Sequence, residues 1–178
     1  MSFDYLPCEL LEKVRNLKDF PRVLILDKWT CTSDGQQAIF WKARRRQRYS
    51  ATFIDQGYCF NAGEWTFPDS PQRGAYANNC VYEGVMGWEA FEPALSRAEE
   101  TDAHTIWQCA ADIPEEWYEG DRDGLDRLVQ ALHQRRETIR KLIGDFRKST
   151  RNPFPSWSDS SGSVALSTFG QDEVFDIR

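Results

Sequence analysis

Two short β-type runs, Ala38-Ile39-Phe40-Trp41 and Ser50-Ala51-Thr52-Phe53-Ile54, restrict the fold most, because the other periodic segments of the chain are helical. Between them lies the basic stretch Lys42-Ala43-Arg44-Arg45-Arg46-Gln47-Arg48, so the runs read as one β-hairpin with a basic loop. Upstream, Leu10, Leu11, Val14 and Leu17 sit at helical spacing and predict a helix over 7–20, with Pro7 in its first turn. The apolar run Val23-Leu24-Ile25-Leu26 predicts a second, buried helix ending at Trp29. Helical patterns resume over 88–98 and about 103–111. The clearest covers about 123–148, where Leu125, Leu128, Val129, Leu132, Ile139, Leu142, Ile143 and Phe146 form one apolar face. Asp121 or Asp123 can cap that helix, and Asn152-Pro153 ends it. One hairpin among helices is an α+β fold, mainly helical.

At 178 residues the chain is one domain's worth, and with 40% hydrophobic and 13% aromatic residues it is not a disordered one. A net charge of -6 argues against nucleic acid as a partner. No apolar run approaches the ~20 residues a membrane helix needs. The cysteines Cys8, Cys31, Cys59, Cys80 and Cys109 include no CxxC pair, so the simplest reading is five reduced thiols in a cytoplasmic protein. No glycine pattern matches a nucleotide-phosphate loop. Residues 58–85 are rich in Gly, Pro, Asn and aromatics and predict long ordered loops. A serine-rich stretch follows Asn152, so the expected division is a domain over 1–148 and a mobile tail over 149–178.

The chemistry-bearing unit is a polar loop with an aspartate, the hairpin, then a second aspartate before a glycine: Asp34, the two strands, and Asp55-Gln56-Gly57. Phosphoryl transfer needs two carboxylates close together, one to position or deprotonate the acceptor hydroxyl and one to hold magnesium. A hairpin brings its open ends side by side, so Asp34 and Asp55 are expected on the order of 4–8 Å apart, within reach of one metal. An amide oxygen from Gln37 can complete an oxygen shell. The plainer reading is that Asp34-Gly35 is only a turn and Asp55 only a strand-end cap. Likewise, the Arg44–Arg48 run reads either as a phosphate or acidic-partner contact or as a solvated hairpin tip. Tyr58, Phe60, Trp65, Phe67 and Tyr76 read either as a ligand groove or as packing under the loops.

The segments Leu26-Asp27-Lys28-Trp29-Thr30-Cys31, Asp34-Gly35-Gln36-Gln37 and Phe53-Ile54-Asp55-Gln56-Gly57-Tyr58-Cys59-Phe60-Asn61-Ala62-Gly63-Glu64-Trp65 resemble the bacterial HipA-like kinases. So do Phe67-Pro68-Asp69, Arg73-Gly74 and Phe91-Glu92-Pro93. The resemblance spans roughly residues 3–145. It implies the C-lobe of a protein-kinase-like fold, with ATP and magnesium as cofactors and a protein or small molecule as phosphate acceptor. It also implies Asp34 as the catalytic-loop aspartate, Asp27 as a second candidate base, Asp55 as the metal-binding aspartate of the DFG-type position, and Gln37 as a substitute metal ligand.

The chain departs from that pattern where Thr32 and Gln36 stand in place of an expected Asn and Arg. No glycine-rich loop precedes the hairpin, and of Lys13, Lys18 and Lys28 upstream none lies on a strand pattern. The chain thus reads as a C-lobe alone, whose exposed face awaits an N-lobe or a second copy. The alternative reading is a non-catalytic, pseudokinase-type interaction module.

Overall fold

The computed structural model describes residues 1–43 and 47–158, so the centre of the basic loop and the chain beyond 158 lie outside it. The fold is α+β and mainly helical, with one small antiparallel sheet. The hairpin forms as read: β2 (Gln37–Trp41) pairs with β3 (Ser50–Ile54), with Phe40 opposite Ala51 and Gln37 opposite Ile54. Alternation places Ala38, Phe40 and Ala51 inward, buried, and leaves Trp41, Thr52 and Ile54 exposed. A two-residue strand, β1 (Ser2–Phe3), adds to the free edge of β2.

Against the inner face packs α2 (Asp19–Trp29). Pro21 sits in its first turn, where a missing N–H costs nothing, and the apolar run behind it is buried on Phe20, Leu24 and Ile25. Phe20 meets Phe40, Phe53 and Tyr76 ring to ring. Expected as one helix, 7–20 is helical only over α1 (Cys8–Leu11). The chain then runs alongside the hairpin: Val14 bridges to Tyr49, and Asn16 accepts from Ala51 N–H and donates to Ala51 C=O. Sheet-type pairing there outcompetes helix propagation, which needs every backbone group for itself.

A left-handed turn, α3 (Cys59–Ala62), follows the hairpin. After it come long loops with a 3₁₀ turn at Asn79–Tyr82, then a second at Trp88–Phe91. Helices α4 (Ala94–Glu100) and α5 (Ala103–Ala111) lie where patterns 88–98 and 103–111 indicated, with 88–91 forming a 3₁₀ turn instead of α-helix. The expected long helix is two: α6 (Arg122–Arg135), capped by Asp121 on Gly124 N–H, and α7 (Ile139–Arg147). Side chains take the carbonyls that would continue α6. Thr138 Oγ1 donates to Arg135 C=O and Arg136 Nε to His133 C=O.

One main core joins α2, the hairpin, α4 and α7 through Phe20, Leu24, Phe40, Tyr82, Leu95 and Phe146, all fully buried. A smaller cluster, Ile106, Ala110, Leu125, Leu128 and Val129, packs under the loop aromatics Phe60, Trp65 and Phe67. Trp29 touches both clusters and donates its indole N–H to Leu132 C=O. Two sequence expectations are corrected here. The packed chain passes the boundary set at 148, because Phe154 is buried against Tyr82, Phe91 and Phe146; the rest of the expected tail, beyond 158, lies outside the described residues. Five free thiols become three: Cys8 and Cys80 form a disulfide that ties α1 to the 3₁₀ turn at 79–82, leaving Cys31, Cys59 and Cys109 free. No helix among the described residues is long and apolar enough to cross a membrane.

Candidate functional site

The open end of the hairpin carries the candidate site. Gln37 begins β2 and faces Ile54, so the residue after Ile54, Asp55, lies beside it. Asp34 reaches the same point from the loop between α2 and β2. The Gln37 amide nitrogen donates to Asp34 Oδ2 at 3.3 Å and to Asp55 Oδ2 at 3.4 Å. The hairpin therefore brings together Asp34, Gln37 and Asp55, the two carboxylates on either side of one amide and exposed to solvent.

The loop is fixed from below and from the side. Thr32 N–H donates to Asp27 C=O and Ser33 N–H to Tyr58 C=O, Gly74 N–H donates to Asp34 C=O, and Gly35 N–H donates to Asp34 Oδ1 at 2.7 Å. On the other strand, Asp55 has φ 59, and Phe60, Asn61 and Ala62 follow at φ 56, 56 and 57. Such left-handed residues cost energy unless their surroundings hold them, and they cluster at functional loops. Here Phe60 N–H and Asn61 N–H donate to Thr30 and Cys31 carbonyls, so the post-hairpin turn is laced to the Asp34 loop. Asn61 accepts from Arg73 at 2.6 Å and donates to Glu64 and Thr66, a clamp that sequence reasoning missed. Its signal was present as Asn61 ahead of Gly63, since Asn tolerates left-handed backbone.

Asp27 is not with the other two carboxylates. It lies beneath the loop, 3% exposed, accepting from the Gln36 amide at 3.0 Å, and so reaches no acceptor hydroxyl directly. Burial pushes its carboxyl up to about 6, against the opposing pull of Gln36, Thr32 and Lys28. Its neighbour Lys28 is equally buried, donating to the carbonyls of Pro71 and Arg73, with its ammonium 5.1 Å from the centre of the Phe146 ring. Burial pulls the Lys28 ammonium down to about 7. Lys28 therefore anchors the 71–74 loop and is not a phosphate contact. Gln36 also faces the Tyr82 hydroxyl, and Thr32 contacts Thr30 and Cys59. The two departures from the kinase pattern are thus buried partners of the Asp27 layer.

Two carboxylates offer the oxygen ligands that magnesium prefers, and the ion keeps waters or phosphate oxygens for its remaining positions. Gln37 instead presents its N–H₂ group to both carboxylates, occupying the place of a cation. Its carbonyl becomes a ligand only when the amide turns over. Among the described residues no group of three or more His, Cys, Asp or Glu side chains is arranged to hold a metal, so the pair would act as a partial shell completed by a ligand's phosphates. Tyr58 lies exposed at the rim, whereas Phe60, Trp65 and Phe67 pack on the smaller core and Tyr76 is in the main one. The basic loop's Arg44, Arg45 and Arg46 lie outside the described residues. No family model, curated protein or solved structure matches the chain.

Proposed function

We propose that this chain is a kinase C-lobe of the HipA-like type, transferring phosphate from ATP to a hydroxyl of a protein or small molecule. The observation that carries it is the shared Gln37 amide between Asp34 and Asp55. In this reading Asp55 and the Gln37 carbonyl would hold magnesium, and Asp34 would orient and deprotonate the acceptor hydroxyl. Bound magnesium would neutralise charge on the transferred phosphoryl group. Asp27 keeps the loop in register through Gln36 and Thr32 and touches no reactant. The outer sheet face supports the same reading: Ile39 and Ile54 run away from the carboxylates, and Trp41, 48% exposed, continues that surface. An uncovered apolar face beside a charged site suits a nucleobase, an N-lobe or a second copy.

The described residues contain no glycine-rich clamp or free lysine at the site, so ATP binding by these 178 residues is expected to be weak, with no autophosphorylation. Calorimetry with ATP tests this. Binding weaker than micromolar that requires magnesium and vanishes in Asp55→Ala supports the reading. Binding that ignores both magnesium and Asp55→Ala contradicts it. Complete absence of binding favours the second reading, a pseudokinase-type interaction module, for which the buried Lys28 is the specific observation.

A further inference from the structure

The loop that follows Asp55 also walls a second cleft, of about 720 Å³, between the 63–65 segment and the start of α6. Trp65, Trp117 and Tyr118 supply its aromatic surfaces, and Glu64, Glu119 and Asp121 its carboxylates. Arg127 is the one cation in the lining and stands 3.8 Å from Asp121. The three carboxylates are unequally engaged. Asp121 Oδ1 accepts from Gly124 N–H as the cap of α6, and Glu64 accepts from Asn61, but Glu119 has no ion pair among the described residues.

Trp117 is the informative side chain. It is 79% exposed, the most exposed large aromatic among the described residues. Three half-buried tryptophans of this protein lie under its own cations: Arg140 over Trp88, Arg122 over Trp107 and Arg147 over Trp157, at 4.8–5.6 Å. No such cation covers Trp117 among the described residues. A bare indole face beside an uncommitted carboxylate is the combination that binds guanidinium and ammonium groups, through the ring quadrupole and charge together.

We propose that this cleft docks a basic segment of a partner polypeptide, with an arginine or lysine side chain laid over Trp117 and paired to Glu119. Charge complementarity selects the occupant, since the lining carries three carboxylates against one arginine, and Glu115-Glu116 extend the negative field. The cleft is open to solvent and not enclosed, which suits an exposed polypeptide segment better than a small free ligand that binds by being buried. The proposal stands apart from phosphoryl transfer and does not need it.

The probes are acetyl-Gly-Arg-Gly-Arg-Gly-amide, its glutamate counterpart, and arginine amide, read by tryptophan fluorescence and by the Trp117 indole resonance at low salt. The expected result is binding of the arginine peptide at least about tenfold tighter than either control. Trp117→Ala and Glu119→Gln should each weaken it about two- to fivefold or more, as for exposed cation–π and ion-pair contacts. Both side chains are exposed, so urea midpoints should not move. Asp55→Ala should leave peptide binding unchanged, which separates this test from that of phosphoryl transfer. Equal affinity for the arginine and glutamate peptides, equal affinity for arginine amide, or a preference insensitive to both cleft substitutions would overturn the proposal.

Discussion

Asp27 and Lys28 are adjacent on α2 and buried to 3% and 2% exposure, yet neither forms a close ion pair among the described residues. Folded Asp27 holds its proton more tightly than a free aspartate, since burial raises its carboxyl from 3.8 to about 6. Its contribution to stability is therefore full at low pH and is lost as pH climbs through that window. Lys28 behaves in the opposite sense. Burial lowers it from 10.5 to about 7, so its contribution is full above the ordinary lysine range and is lost as pH falls toward 7. Urea melts across pH should show stability falling between about pH 4 and 6, and rising again above pH 7. The native-minus-variant difference for Asp27→Asn should carry the first slope and that for Lys28→Met the second. Differences that do not vary with pH would mean that these groups are solvated. The same layer explains Gly74, where an added Cβ would lie 2.5 Å from Asp27 Cβ at φ 70. Gly74→Ala should cost about 3 kcal/mol, against about 1 kcal/mol for Gly63→Ala, which shares a positive φ but meets open space. Urea midpoints of the two variants check the order.

At the scale of elements, periodicity identified faces better than it identified breaks. Leu128, Ile139, Leu142, Ile143 and Phe146 are buried as the apolar stripe requires. The break between α6 and α7 was invisible because Arg135 reads as a polar surface residue. In the fold it is 6% exposed, donating to the carbonyls of Lys28 and Phe67 and stacked on the Phe67 ring. Only tertiary partners 107 and 68 residues away make that position special. Leu132, on the same apolar stripe but next to the break, is only half-buried. Ile143→Ala should therefore cost about 2–5 kcal/mol and Leu132→Ala clearly less, as measured by chemical melts. The first predicted helix failed for a related reason: Leu10, Leu11, Val14 and Leu17 do face the core, but Lys13 C=O and Arg15 N–H bond to Tyr49 and the Asn16 amide bonds to Ala51, so these groups go to the hairpin. The hairpin itself was legible, because alternation and its two end aspartates are local signals.

For the whole molecule, the Cys8–Cys80 bond was beyond sequence reasoning, since the pair is 72 residues apart and carries no spacing motif. Thiol titration in denaturant without reductant should find three thiols per chain, and reduction should lower stability by about 4 kcal/mol on a chain-entropy basis. Five thiols would show that the bond does not form. The pairing of Asp34 with Asp55 was legible for the reason the disulfide was not: a hairpin fixes its ends together whatever else the chain does. The phosphoryl-transfer reading rests on that pairing, and manganese, a hard oxygen-seeking substitute for magnesium, probes it most directly. Electron paramagnetic resonance of Mn²⁺ titrated into the full chain should show a bound fraction for the native protein that is lost in Asp55→Ala and weakened in Asp34→Asn. A native protein that binds no manganese at millimolar concentration, or binding that survives Asp55→Ala, would contradict the site.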